Sequence, residues 1–157
     1  KPVYRHSLDT FLSLKEISEV VLAVPQDWKE HFENEILSSN ISTEWKNKLK
    51  IVVGGKERWQ SVRHGVETIT SNAKYVLVHD VARPFISKEL LTQIFETLVS
   101  KGSCIVAKEC ADTVKVVTNG KIEKTLDRNS IWLAQTPQCA SVELLKNLYQ
   151  KIFEKFG

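Results

Sequence analysis

Three polar clusters in this 157-residue chain have the residue types and spacing to handle phosphate groups. The first is Gly54-Gly55-Lys56-Glu57-Arg58-Trp59-Gln60-Ser61, where two glycines lead into a stretch that can open a helix. Glycines let a ligand approach the backbone closely, and a helix start offers amide donors without an intrahelical partner. Arg58 and Ser61, three apart, would share one face of that helix. A tight turn followed by a solvated, charged helix start is the plain alternative. The second cluster is His79-Asp80-Val81-Ala82-Arg83-Pro84. Its aspartate could hold Mg²⁺ through oxygen while the arginine neutralises a polyanion, or the two could pair with each other and brace the loop. The third is Thr125-Leu126-Asp127-Arg128-Asn129, followed by Ala134-Gln135-Thr136-Pro137-Gln138. Hydroxyls, an arginine and amides suit a phosphorylated polyol, but a turn and an extended dipeptide would look the same. His79 reads as a packed, hydrogen-bonded residue, and His6, His31 and His64 as surface residues.

Covalent catalysis has no footing in these clusters. No Gly-x-Ser-x-Gly elbow occurs, no cysteine has a histidine near it in sequence, and no paired histidine ligands recur. What remains is positioning and charge neutralisation, the means by which phosphoryl and nucleotidyl transfer proceed.

The elements around the clusters alternate. Val20–Val24, Ile51–Val53, Tyr75–Val78 and Cys104–Ala107 are short apolar runs of the kind found in strands covered on both faces. Helical spacing links Val62, Val66 and Ile69. It recurs along Leu90, Leu91, Ile94, Phe95, Leu98 and Val99, with Ser87 placed to cap and Gly102 to stop. A third stripe, Leu145, Leu148, Tyr149, Ile152, Phe153 and Phe156, follows a possible cap at Ser141. These stripes read as core-facing surfaces rather than ligand boxes. Thr113–Thr118 and Lys121–Leu126 flank Asn119-Gly120, a strong hairpin signal. The pattern predicts one α/β domain over residues 1–157, Rossmann-like, with a mostly parallel sheet, helices on both faces and an inserted antiparallel hairpin arm at about 111–134. In such sheets ligands bind outside the carboxyl ends of the strands, where all three clusters fall.

Composition narrows the class further. With 42% apolar and 26% charged residues the chain is neither disordered nor a coiled coil. A net charge of +3 is too small to make nucleic acid the main partner. No run reaches the roughly 18 apolar residues that cross a bilayer, and no signal-peptide pattern opens the chain. Cys104, Cys110 and Cys139 are odd in number and lack metal-ligand spacing, which suits a reduced, cytoplasmic protein. The chain begins at Lys1 and contains no methionine, so residue 1 is not expected to be a translation start.

Taken together, KPVYRHSLDTFL, GGKERWQSVRHGVE, VLVHDVARPFIS, ADTVKVV and KTLDRNSIWLAQTPQ resemble, in order, the 2-C-methyl-D-erythritol 4-phosphate cytidylyltransferases of the non-mevalonate isoprenoid pathway. The resemblance extends over most of the chain. It implies that Gly54, Gly55 and Ser61, with the backbone at Lys56, read a cytosine ring. It implies that Asp80 holds Mg²⁺ near both substrates, that Val81 meets the ribose and that Arg83 belongs to the same loop. Thr113, Arg128 and Thr136 match residues that grip methylerythritol phosphate. The family's hairpin arm crosses into a second subunit, so a homodimer is implied, with Arg128 serving the partner's site. The implied reaction joins CTP and the polyol phosphate and releases pyrophosphate. Lys56 departs from the acidic residue common at that position, which leaves only its backbone a role.

Two further departures concern the ends. The family's glycine-rich loop, whose arginine and lysine clasp the triphosphate, precedes the position matching Lys1, and a phosphate-neutralising lysine lies beyond the one matching Gly157. Residues 1–157 alone are therefore expected to bind CTP weakly and turn over very slowly. Isothermal titration with CTP and Mg²⁺ checks this, and tight binding would refute it. The rival readings are a polyol-phosphate cytidylyltransferase acting on ribitol 5-phosphate and a non-catalytic nucleotide-binding remnant.

Overall fold

The structure, a computed structural model, describes residues 1–70 and 72–156; the side chains of Leu37 and of residues 153–156 fall outside the description, and with them the Phe153 and Phe156 positions of the C-terminal stripe. The chain runs α1 (Val3–Leu12), β1 (Val20–Val24), α2 (Lys29–Ser38), α3 (Thr43–Lys48), β2 (Leu49–Val53) and α4 (Arg58–Thr68). It continues through β3 (Tyr75–Val78), α5 (Lys88–Lys101), β4 (Cys104–Glu109), β5 (Lys115–Thr118), β6 (Lys121–Thr125), β7 (Trp132–Ser141) and α6 (Val142–Phe156).

The valine-rich β1 pairs in parallel with β2, Val20 opposite Leu49 and Val24 opposite Val53. β-Branched residues settle readily on a pleated, half-buried backbone, which is why these runs were legible as strands. β7 lies between β3 and β4 and is antiparallel to both, so β3 and β4 share a direction. The ends of the strands orient the two sheets. Glu19 Oε2, just before β1, accepts from the Thr70 amide, ahead of β3, at 3.3 Å, while Arg58, after β2, meets Asp80, after β3. Thus β1, β2, β3 and β4 point one way and β7 runs against them. The expected α/β class holds, with parallel and antiparallel pairings both present.

β7 was not anticipated. Its sequence is polar in the middle and contains Pro137, which cannot donate to a ladder. The ladder with β4 breaks where that proline falls: Ile105 pairs with Gln138, but the next pair is Ala107 with Ala134. An irregularity of this kind is what admits a proline to a central strand. Nor were α1, α2 and α3 read from the sequence as helices.

Helices cover both faces. On one face Tyr4, Leu8 and Leu12 of α1 pack with Leu22, Val24 and Ile36, while Leu91, Ile94 and Leu98 of α5 pack with Ile86 and Cys139. Phe11 joins α1 to the second cluster. On the other face α4 lies over β1, close enough that a Cβ on Gly65 would stand 3.9 Å from Val21, and α6 packs on α4. The predicted caps are in place. Ser87 accepts from the Leu90 amide at 3.2 Å, Gly102 ends α5 with φ of 79°, and Ser141 accepts from the Leu144 amide at 3.1 Å. Asn119 and Gly120 turn the β5–β6 hairpin with φ of 50° and 76°, the left-handed pair that matches strand twist. Among the described residues no helix is long and apolar enough to cross a membrane.

Candidate functional site

The carboxyl ends of β1, β2 and β3 gather two of the three clusters. After β2 the Gly54 amide donates to the Val24 carbonyl at 2.8 Å, carrying the chain across the end of β1. The Gly55 amide then donates to Ser61 Oγ at 3.0 Å, folding the turn back onto the first turns of α4. Both glycines are demanded by this approach. A Cβ on Gly54 would stand 2.8 Å from Ser61 Oγ, and one on Gly55 would overlap Gln60 Cβ. A capping box of Glu57 and Gln60 starts α4, with the Glu57 amide donating to Gln60 Oε1 at 2.9 Å. Ser61 Oγ thereby holds the turn by accepting while its own proton stays available to donate, and Lys56 stands exposed beside it.

Arg58, on the first turn of α4, donates through Nε to Asp80 Oδ1 at 3.0 Å. This pair ties the glycine turn to the loop after β3. The ion pair foreseen as an alternative for Asp80 does form, but with Arg58 rather than Arg83. The sequence placed Arg58 on the right helix face and offered no signal for a partner 22 residues away. Both side chains remain accessible, 51% for Arg58 and 39% for Asp80, so Asp80 faces the rim rather than a dry interior.

Beneath Asp80 lies a chain of hydrogen bonds that fixes its loop. The Asp80 amide donates to Thr136 Oγ1 at 3.1 Å, and Thr136 Oγ1 lies 3.2 Å from His79 Nδ1. His79 Nε2 lies 2.9 Å from the Arg83 carbonyl, which can only accept. That assigns the ring proton to Nε2 and leaves Nδ1 to accept from the Thr136 hydroxyl. The Arg83 amide closes the loop on the Asp80 carbonyl at 2.9 Å. Thr136 is buried, 7% exposed, in the irregular part of β7. His79 is structural, as expected. Of the other histidines, His6 stands edge-on to Phe85 at 5.4 Å and His64 Nδ1 lies 2.9 Å from the Val53 carbonyl, partners that sequence spacing did not reveal.

Burial pushes the His79 pKa below its ordinary 6.5, only partly offset by the Arg83 carbonyl and the Asp80 charge. The folded chain therefore refuses a proton that the unfolded chain accepts, so stability rises with pH over the interval below 6.5 and is lost toward acid. Thermal melts at pH 5.5 and 7.5 should differ for the wild type by more than for His79→Gln, which lacks the titrating ring; equal differences would remove His79 from the acid response.

The third cluster is divided: Thr136 lies beneath Asp80, and Thr125–Asn129 belong to the hairpin region. Arg128 Nη1 donates to the Ala111 carbonyl at 3.1 Å, tying the end of the arm to its beginning, and Asp127 caps a short turn by accepting from the Asn129 amide. Thr113 lies exposed just before β5, and Val81 and Arg83 are exposed on the Asp80 loop. Of this cluster, Thr136 alone joins Asp80 through a described hydrogen bond.

Helices on both faces of strands, with polar groups collected outside their carboxyl ends, define an α/β protein of the kind that binds its ligands there. The family model described as IspD: 2-C-methyl-D-erythritol 4-phosphate cytidylyltransferase matches residues 1–156, and the chain belongs to that family. It is 38% identical to the 2-C-methyl-D-erythritol 4-phosphate cytidylyltransferase of Alkaliphilus metalliredigens over 161 aligned residues, 100% of this chain and 65% of that protein. The enzyme of that name from Lachnospira eligens is 34% identical over 99% of this chain and 66% of its own length. The chain thus spans just under two thirds of these relatives. Among solved structures, 4-diphosphocytidyl-2C-methyl-D-erythritol synthase from Anaerococcus prevotii superposes with a TM-score of 0.85 at 26% identity, over 98% of this chain and 66% of that one.

Proposed function

We propose that the protein carrying these residues is a nucleotidyltransferase that joins CTP to 2-C-methyl-D-erythritol 4-phosphate, with residues 1–157 as one nucleotidyltransferase-like domain. The 4-phosphate oxygen attacks the α-phosphorus of CTP, the bond to the β-phosphate oxygen breaks, and pyrophosphate leaves with the electron pair. The Arg58–Asp80 bridge carries this reading, because it joins the glycine turn and the Asp80 loop into one rim. Gly54, Gly55, the Lys56 backbone and Ser61 receive the cytosine, Val81 the ribose, and Arg83 faces the phosphates. Thr113, Arg128 and Thr136 hold the polyol phosphate.

Asp80 suits a divalent cation shared with substrate. It offers one accessible carboxylate, and the described residues contain no group of three or more His, Cys, Asp or Glu that could cage an ion unaided. Mg²⁺ commonly takes one or two carboxylates and completes its octahedron with water and substrate phosphate. Bound there, it would offset the negative charge of two phosphorylated molecules brought together. Arg58 holds the carboxylate in place, and Thr136 and His79 fix the backbone that bears it.

The arm at 111–134 makes the protein a homodimer and presents Arg128 to the partner copy. Its apolar side chains support this: Ile122 is 65% exposed, Trp132 56% and Val117 54%. Three free thiols, two of them buried, suit a reducing cytoplasm. Pyrophosphate release from CTP and Mg²⁺, measured with methylerythritol phosphate and with ribitol 5-phosphate in parallel, tests the substrate. The first should be turned over and the second not; a preference for ribitol phosphate overturns the reading.

A further inference from the structure

Cys104 opens β4 and Cys139 lies in β7, and the antiparallel ladder sets the two residues directly opposite each other. Opposed residues of a ladder send their side chains to the same face, and these two pack with Leu91, Ile94 and Leu98 of α5. Residues so paired have Cα atoms about 4.5 or 5.5 Å apart, and a disulfide accepts about 4.4–6.8 Å. Either spacing suits a covalent link without moving the strands.

The three cysteines are free thiols with different surroundings. Cys139 is 5% exposed, and burial together with the adjoining Cys104 thiol pushes its pKa up to about 12. Cys104 is only half-buried, at the strand end beside the Gly102 turn. Cys110 is engaged elsewhere: its thiol donates to the Asp112 carbonyl at 3.4 Å and its amide to the Ile131 carbonyl at 3.0 Å. The place of the Cys104–Cys139 pair along the chain sets its consequence. β4 leads into the hairpin arm and β7 leads out of it, so a link there closes a loop, 105–138, that contains the whole arm. β7 also carries Thr136, whose hydroxyl accepts from the Asp80 amide.

We propose that Cys104 and Cys139 form a dithiol site that a low-molecular-weight disulfide converts to a cross-strand disulfide, stapling the root of the arm. Cys104, the sulfur nearer solvent, attacks the reagent as its thiolate; the sulfur–sulfur bond breaks and one reagent thiolate leaves with the electron pair. Cys139 then attacks Cys104 Sγ, gives its proton to solvent and displaces the second reagent thiolate. Two protein thiols are oxidised, and the reagent is reduced to two thiols. In a reducing compartment the pair rests open. The inference stands on strand register and does not depend on the reaction proposed above.

Oxidised glutathione, followed by thiol blocking, proteolysis and mass spectrometry, tests the site on the whole protein. The peptides bearing Cys104 and Cys139 should be recovered joined within one chain, with Cys110 blocked, and dithiothreitol should undo the link. The linked form should melt about 5–10 °C above the reduced one, as closing a loop of this length predicts. Cys104→Ser should abolish both changes and Cys110→Ser should keep them. No reaction, glutathione retained on Cys104 without the link, a bridge through Cys110 or between two copies, or a linked form that melts no higher overturns the proposal.

Discussion

Asp80→Asn in the active protein should lower kcat by about 10³-fold while leaving the fold intact. Asparagine keeps the shape of the side chain and removes the charge that Arg58 meets at 3.0 Å. Because both partners are substantially exposed, the lost ion pair is worth at most about 1 kcal/mol of stability, so the melting temperature should hardly move. The catalytic cost is larger for an electrostatic reason. In the proposed reaction two anionic substrates repel at close range, and it demands a fixed charge arrangement where they meet, with little covalent work for the protein to do. Pyrophosphate release and a thermal melt on the same preparation check both halves. Undiminished turnover would remove Asp80 from the reaction and favour a binding module.

Thr136→Val should destabilise the protein by about 1–3 kcal/mol, because it strips a partly buried amide and a partly buried imidazole of their shared, buried partner. Valine fills nearly the same space, so the change reports the hydroxyl rather than a cavity. The Asp80 amide loses its acceptor and His79 Nδ1 its donor, and the loop carrying the carboxylate loosens. Displacing a reacting group by about 1 Å can cost up to about 10²-fold, so kcat should fall as well. Thr136→Ser retains the hydroxyl and should restore most of both losses. A melting temperature unchanged in the valine variant would eliminate the brace. A rise in KM for the polyol phosphate beyond these effects is the mark of the direct contact proposed for Thr136.

How the site became legible differs from residue to residue. Gly54, Gly55 and Asp80 could be singled out because each follows an apolar run, and a strand end is where an open sheet places its ligands. The reason for the glycines is nonetheless local as well as functional. Close packing against Ser61 and Gln60 already forbids a side chain there, whatever the ligand. Thr136 was noticed as part of a polar stretch, but nothing in that stretch announced a central strand. A ladder irregularity opposite Pro137 made the strand possible, and such an accommodation belongs to the partner strand as much as to the proline.

The positions of most strands along the chain, the caps at Ser87, Gly102 and Ser141, and the Asn119-Gly120 turn follow from the amino-acid sequence by itself, because each depends on residues near one another along the chain. So does the set of side chains able to meet phosphate. Tertiary structure alone decided that Arg58 meets Asp80, that Thr136 and His79 lock the loop from beneath, and that β7 runs against its neighbours. It also left β1 and β3 facing each other across an apolar groove. Those outcomes join residues tens of positions apart, and their energies exist only once the sheet and its helices bring distant backbone and side chains into contact.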